Sequence, residues 1–315
     1  MADFGAMFGA ERVETFLGIP ACEDMGTISG GIAVLGVPCA TAYPAVGAYC
    51  AVGPQAIRDA VQMYSANLHS MNFDLGGPIF PDGHVTAVDC GDLPYDAADS
   101  AGNRARISDA VGTILDRGAV PVVIGGDDSV PIPLFEAFAG RGKFTVLQID
   151  AHIDWRDEVD GERMGLSSTM RRASEMDHIG RIIQVGQRGL GSARPEDWQA
   201  AVAYGVEFVS GQGVHLGGIG RVLDLIEPGA DVLVAFDCDA LDPAIMPGVI
   251  GRTPGGLEYW QLVGLLQGVA AKARIAAFDV VEFMPERDID GIGALTAAQV
   301  LVNAIGLIAR QQGSR

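Results

Sequence analysis

Phe144-Thr145-Val146-Leu147-Gln148-Ile149-Asp150-Ala151-His152-Ile153-Asp154 reads as a strand that ends in a cluster of metal-binding side chains. The first six residues are mostly apolar and carry no charge, which suits a parallel strand buried on both faces. Side chains on an extended chain alternate, so Asp150, His152 and Asp154 point one way. About ninety residues later the pattern returns, with Val232-Leu233-Val234-Ala235-Phe236 ahead of Asp237-Cys238-Asp239. Both acidic clusters are therefore expected at carboxyl ends of strands, the edge where open α/β sheets bind ligands. Carboxylate oxygen combined with imidazole suits Mn, Ni, Co or Zn better than calcium or a thiolate-loving metal. A single Asp at such a junction is ordinarily a helix cap. Five ionisable groups gathered without a cation would instead leave several buried charges, each costing several kcal/mol or forcing protonation.

The surrounding sequence repeats one theme. Apolar runs at Ile32 to Val37, Val85 to Val88, Val120 to Ile124, Phe144 to Ile149, Arg181 to Val185, Val206 to Val209, Asp231 to Phe236 and Ile275 to Val281 predict eight strands. Amphipathic stretches between them, such as Gly53 to Tyr64, Ala105 to Leu115, Pro131 to Phe138, Gly217 to Ile226, Leu257 to Lys272 and Leu295 to Ile308, predict helices. Strand and helix in alternation mean a parallel sheet covered on both faces. The expected fold is α/β: one three-layer αβα domain over residues 1–315, with a doubly wound sheet of about eight parallel strands. No low-complexity linker or internal repeat divides it.

Composition narrows the function. Half the residues are apolar (49%), enough for a large core, and the formal charge is −19 from 40 acidic and 21 basic residues. With no basic stretch interleaved with aromatics, nucleic acid and anionic membranes are excluded as expected partners, and a cationic small molecule is weakly favoured. No uninterrupted run of eighteen apolar residues and no signal-peptide pattern are visible, so a cytoplasmic location is expected. The odd set Cys22, Cys39, Cys50, Cys90 and Cys238 predicts reduced core thiols. His69, His84, His178 and His215 fall outside any ligand spacing and are expected in surface or structural roles. Gly125-Gly126 follows a strand but lacks phosphate-loop spacing, and the acids after it would repel phosphate.

Several segments taken in order carry a specific resemblance. Phe16 to Pro20, Val34 to Pro38, Gly53-Pro54 with Ala56-Ile57-Arg58, Asp89 to Asp92, Gly125-Gly126-Asp127, Asp150 to Asp154, Asp237 to Pro243, Pro254 to Leu257 and Asp279 to Glu282 resemble the signatures of the ureohydrolases, the family of arginases and agmatinases. The match runs from about residue 16 to 308. It implies an arginase-like fold and a hydrolase acting on linear amidines with two divalent cations, Ni or Mn. Asp150 and Asp237 would bridge the cations, His152 and Asp239 would complete one site, and Asp154 would join the other. Such a pair deprotonates a shared water for attack on a guanidinium carbon, giving urea and an amine. Glu282 matches the residue that orients the guanidinium through charge-assisted hydrogen bonds.

The sequence also departs from that pattern. Relatives read Gly-Gly-Asp-His-Ser where this chain has Gly125-Gly126-Asp127-Asp128-Ser129, so Asp128 stands in place of a histidine ligand. In the stretch Leu166 to Ala173, Leu166 occupies the place of a histidine thought to pass a proton to the leaving amine. Such acid–base help is worth about 10²–10⁴-fold, and Glu162, Ser167 and His178 are the candidates to replace it. The loop Ala45 to Val52 lacks an arginine common in relatives, and Gly248 to Thr253 replaces a Gly-Thr-Gly-Thr-Pro-Glu-like run. A kept scaffold with altered site positions is similar to the degenerate subunit of a nickel-dependent, two-subunit hydrolase of metformin. The expectation is thus a weakly active or non-catalytic subunit of a guanidine or biguanide hydrolase. It would form a trimer or hexamer, heteromeric with a catalytic homologue, and the apolar helix Leu295 to Ile308 would contribute to assembly. An independent agmatinase-like enzyme with an atypical metal site, and a structural protein that merely keeps the fold, stand as alternatives.

Overall fold

The structure is a computed structural model that describes residues 4–7, 9–10 and 12–313. Eight strands, β1 (Ile32–Gly36), β2 (Ala87–Asp92), β3 (Val120–Ile124), β4 (Phe144–Ile149), β5 (Ile179–Val185), β6 (Glu207–Val209), β7 (Asp231–Asp237) and β8 (Arg274–Val281), form one sheet in the order β2-β1-β3-β8-β7-β4-β5-β6. Every ladder is parallel. All eight expected strands are present, most of them displaced by one or two residues at an end. The largest shift is at β2, expected at Val85 to Val88 and found to run on to Asp92.

Strand alternation feeds two cores. On one face Ile32, Val34, Val122, Ile124, Leu147, Ile149, Val232, Val234 and Phe236 pack into a single cluster. Their neighbours Ala33, Leu35, Val123, Val146, Leu233 and Ala235 enter a second cluster on the other face. A strand buried on both sides needs no polar face, which explains the continuous apolar runs. Helices cover both faces: α1 (Phe4–Met7), α2 (Gly53–Ala60), α3 (Ser100–Asp116), α4 (Pro131–Glu136), α5 (Thr169–Ala173), α6 (Pro195–Tyr204), α7 (Gly211–Gly217), α8 (Gly220–Leu225), α9 (Tyr259–Lys272) and α10 (Ile292–Gly313). The sequence reading missed α1, α5, α6 and α7. Helices α1 and α5 span only four and five residues, too few to show a period; α7 is interrupted by glycines, and α6 has Ala201 as its one buried apolar residue.

Helix α10 is long and apolar enough to cross a bilayer, yet 83% of its apolar window is buried within the chain. It packs on α2, α9 and β8. Its all-round apolarity is thus that of a core helix, and it leaves no spare face to argue for assembly. A buried ion pair ties α2 to the edge of the sheet, with Arg58 Nε 2.8 Å from Asp89 Oδ2. All five cysteines are free thiols; Cys39, Cys50 and Cys238 are buried, and Cys22 and Cys90 are half-buried.

The turn after β3 has no room for a side chain at Gly126, where an added Cβ would run into the Pro38 carbonyl. That close approach seats the next two residues, Asp127 and Asp128, under the sheet edge. Gly126→Ala is therefore expected to cost about 1–3 kcal/mol by overpacking. Urea unfolding of the purified variant checks this, and a midpoint equal to that of the unmodified chain would contradict it.

Candidate metal centre

Four adjacent strands deliver the site. In sheet order β3, β8, β7 and β4 lie side by side, and their carboxyl ends carry Asp128, Glu282, Asp237 with Asp239, and Asp150 with His152 and Asp154. The chain visits those strands in a different order, so residues more than a hundred positions apart meet at one edge. Asp128, Asp150, Asp237, Asp239 and Glu282 are buried, whereas His152 is partly open.

Two groups of ligand atoms lie within 4.8 Å of one another: Asp150 with His152 and Asp239, and Asp128 with Asp150 and Asp154. Asp150 belongs to both, which suits a shared ligand. His152 Nδ1 is 3.0 Å from Asp239 Oδ2 and 3.4 Å from Asp150 Oδ1. Asp237 lines the same cavity but joins neither group. Its Oδ1 accepts the Asp239 N–H at 2.6 Å, capping the turn Cys238–Ala240. The Leu166 side chain faces this cavity, and of the three substitutes for the absent histidine only Ser167 does so. His178 is spent on the Phe135 carbonyl at 2.8 Å, and His215 on that of Gly256 at 2.9 Å.

Electrostatics show what the cluster lacks. Burial first, and repulsion between neighbouring carboxylates second, hold Asp128, Asp154 and Asp237 well above the usual carboxylate range. Burial also opposes a charge on His152, but hydrogen bonds to Asp150 and Asp239 and the charge of both acids prevail and raise it to about 12. Asp239 is shifted up by burial and down by the His152 hydrogen bond, with a net lowering. Glu282 rises to about 8, chiefly through burial, against hydrogen bonds from Tyr49 and the Asp128 N–H. Asp128 Oδ2 is buried with no hydrogen-bond partner. An orphaned carboxylate oxygen, a crowd of buried acids and one imidazole make a donor set that fits divalent cations.

Support comes from residues that spacing alone did not flag. Gln148 Nε2 donates to Asp150 Oδ2 and to Asp154 Oδ2, each at 2.6 Å. Gln184 Nε2 in turn donates to Gln148 Oε1 and to the Ile153 carbonyl. The Arg188 guanidinium donates to the carbonyls of Asp239 at 2.7 Å and Thr253 at 2.8 Å, bracing the turn after β7. Tyr49, on the loop Ala45 to Val52, places its hydroxyl 2.7 Å from Glu282 Oε1 and 2.6 Å from Oε2. A polar residue inside an otherwise apolar strand was the available signal for Gln148 and Gln184; nothing local in sequence marks Tyr49.

Asp154 (φ 43°) and Glu282 (φ 67°) both adopt the left-handed region that L side chains disfavour. Main-chain bonds hold them there: the Glu282 N–H donates to the Gly126 carbonyl at 2.8 Å, and the Asp154 carbonyl accepts from the Met170 N–H at 3.1 Å. Strain of this kind gathers at functional sites.

Known proteins are similar to this chain in sequence and fold. The arginase family model matches residues 30–306. A mitochondrial arginase of Medicago truncatula is 30% identical over 289 residues, covering 89% of this chain and 82% of its own length. The N(1)-aminopropylagmatine ureohydrolase of Thermus thermophilus is 34% identical over 200 residues, covering 63% of this chain and 66% of its own. The solved proclavaminate amidino hydrolase of Streptomyces clavuligerus superposes with a TM-score of 0.82 at 26% identity, over 96% of this chain and 99% of that one.

Two outcomes test the donor set. Because Asp150 serves both groups and Asp237 neither, Asp150→Asn should lower Mn²⁺ affinity in calorimetry more than Asp237→Asn; equal losses would give Asp237 the bridging role that the sequence pattern implies. The second outcome concerns pH. Carboxyl groups raised in the fold stabilise it fully below their unfolded values near 3.8, and that contribution is lost as pH rises through the raised values. The chelated chain should accordingly gain more thermal stability from added Mn²⁺ as pH rises, because the cation replaces the protons. A gain independent of pH would contradict the proton competition.

Proposed function

The chain belongs to the arginase family, and from that premise we propose that it is a subunit of a metal-dependent ureohydrolase that cleaves a C–N bond of a guanidino compound. One observation carries this reading: Glu282, a buried carboxylate, opens onto the same cavity of about 250 Å³ as Asp128, His152, Asp154, Asp237 and Asp239. A carboxylate there can bind a guanidinium beside the metal donors. Two divalent cations, Mn or Ni, held by Asp128, Asp150, His152, Asp154 and Asp239 with Asp237 adjoining, would supply Lewis-acid activation of water. The chain's own part is to orient the planar guanidinium against Glu282 and to screen it from bulk solvent.

Proton delivery is where this chain is weak. Leu166 cannot carry a proton, and the cavity-lining Ser167 hydroxyl is a poor acid. We read the chain as weakly active or inactive alone, assembled as a trimer or hexamer with a catalytic homologue that acts on guanidine or a biguanide such as metformin, in the cytoplasm. Conversion of Leu166 and Asp128 to His together is expected to raise metal occupancy, because imidazole relieves the crowding of carboxylates. Metal content by mass spectrometry checks occupancy, and a urea assay with arginine, agmatine and guanidinobutyrate checks activity. Robust urea release by the unmodified chain on its own, lost in Asp237→Ala, would defeat the weak-subunit reading and favour an independent agmatinase-like enzyme.

A second substrate reading has its own support. Arg156 lines the cavity, and no ion pair of its guanidinium is found among the described residues. An unpaired guanidinium at the wall repels a cationic tail and attracts a carboxylate, which favours a guanidino acid over agmatine or a biguanide. Arg156→Ala should then weaken binding of guanidinobutyrate while leaving or improving that of agmatine. A change of equal size and sign for both would remove this reading.

A further inference from the structure

The Tyr49 hydroxyl stands nearly equidistant from the two oxygens of Glu282, at 2.7 and 2.6 Å. Equal distances put the phenol oxygen on the plane that bisects the carboxylate. A carboxylate has about four lone-pair positions. Lying between the oxygens, the hydroxyl takes the two inner ones, although it has one proton to give. The Asp128 N–H, 2.9 Å from Oε1, takes a third. What remains is one outer position on Oε2, enough for a single hydrogen bond. A guanidinium gains its strength and its orientation from the fork, two parallel N–H donors on both oxygens at once. That fork and the Tyr49 hydroxyl need the same place.

We propose that Tyr49 is a phenolic plug on the guanidinium subsite, holding the paired-oxygen edge of Glu282 until the substrate displaces it. The inference rests on the reading of Glu282 as the guanidinium-binding residue and adds a specificity determinant that lies outside the metal donors. Tyr49 is not part of the cavity wall; Glu282 is. The phenol thus holds the paired-oxygen edge of Glu282 turned from the cavity, and a substrate gains that edge only when the contact breaks; the Tyr49 loop is attached through short turns, with Gly47 N–H on the Tyr43 carbonyl at 2.9 Å and Gly53 N–H on that of Cys50 at 2.8 Å. Burial above all raises the phenol, so it remains a donor. A compound that offers only a guanidinium must break this contact to bind. One with further anchoring elsewhere in the cavity can offset the loss.

Isothermal calorimetry with methylguanidinium on the full chain, with and without Mn²⁺, tests the plug. Tyr49→Phe keeps the ring and removes only the hydroxyl, and it should bind methylguanidinium about tenfold tighter than the unmodified chain, the worth of one hydrogen bond to a charged group. Adding Glu282→Gln to that variant should erase the gain. An affinity equal to or weaker than that of the unmodified chain, or no measurable binding by either, overturns the proposal; weaker binding would make Tyr49 a residue that positions Glu282. Tyr49→Met provides the same comparison should Tyr49→Phe fail to fold by near-ultraviolet circular dichroism. Mn²⁺ occupancy measured on the same samples separates the two readings: a chain that binds no metal defeats the ureohydrolase proposal, while the metal-free titrations still decide the role of Tyr49.

Discussion

The Asp150 carboxylate is completely buried, within reach of His152 and Asp239 on one side and of Asp128 and Asp154 on the other. Uncompensated, that much negative charge in a low dielectric would cost more than the fold could bear. Everything around it answers the problem. Gln148 and the Ala151 and His152 segment direct N–H groups at the acids: Gln148 to Asp150 and Asp154, the Ala151 N–H to Asp239 at 3.1 Å, and the His152 N–H to Asp150 at 2.6 Å. His152 contributes a positive charge against Asp150 and Asp239. These donors are too few for the acids they serve, as the bare Asp128 Oδ2 attests. A divalent cation is the partner that such an arrangement calls for.

Strain supports the same conclusion. Asp154 and Glu282 each occupy a backbone region that costs an L residue about 1–2 kcal/mol. Each is locked by a main-chain hydrogen bond to a different segment, Glu282 to the β3 turn and Asp154 to the start of α5. The turns are thus shaped to aim two carboxylates at one space, and the packing of β3 against β8 over-determines that shape.

Departures at the site share a direction. Asp128 brings one more carboxylate, Leu166 brings no proton donor, and Tyr49 occupies the acceptor edge of Glu282. Under the proposed function, each would favour retention of the fold and its metal donors over fast turnover of a simple guanidinium. Arg156 adds a cation at the cavity wall, which under the same proposal would shift preference towards anionic tails. In that proposal metal binding, guanidinium capture and proton transfer would be separable properties, carried by different strands and loops.

Much of this was legible in the chain itself. Mostly apolar, uncharged runs such as Phe144 to Ile149 suit parallel strands buried on both faces, and alternation then puts Asp150, His152 and Asp154 on one side. Local sequence therefore determined the strand set, the fold class and the donor residues at each strand end. What it left undetermined are the properties set by strand order. The sequence β3, β4, β7, β8 becomes β3-β8-β7-β4 in space, and that permutation brings Glu282 between Asp128 and the Asp237–Asp239 pair. It also brings Tyr49, from the loop after β1, onto Glu282 across 233 positions of chain. No periodicity encodes such a contact, because it depends on which crossover packs where. Helix α10 makes the same point: its composition suits a membrane as well as a core, and burial against α2, α9 and β8 decided between them.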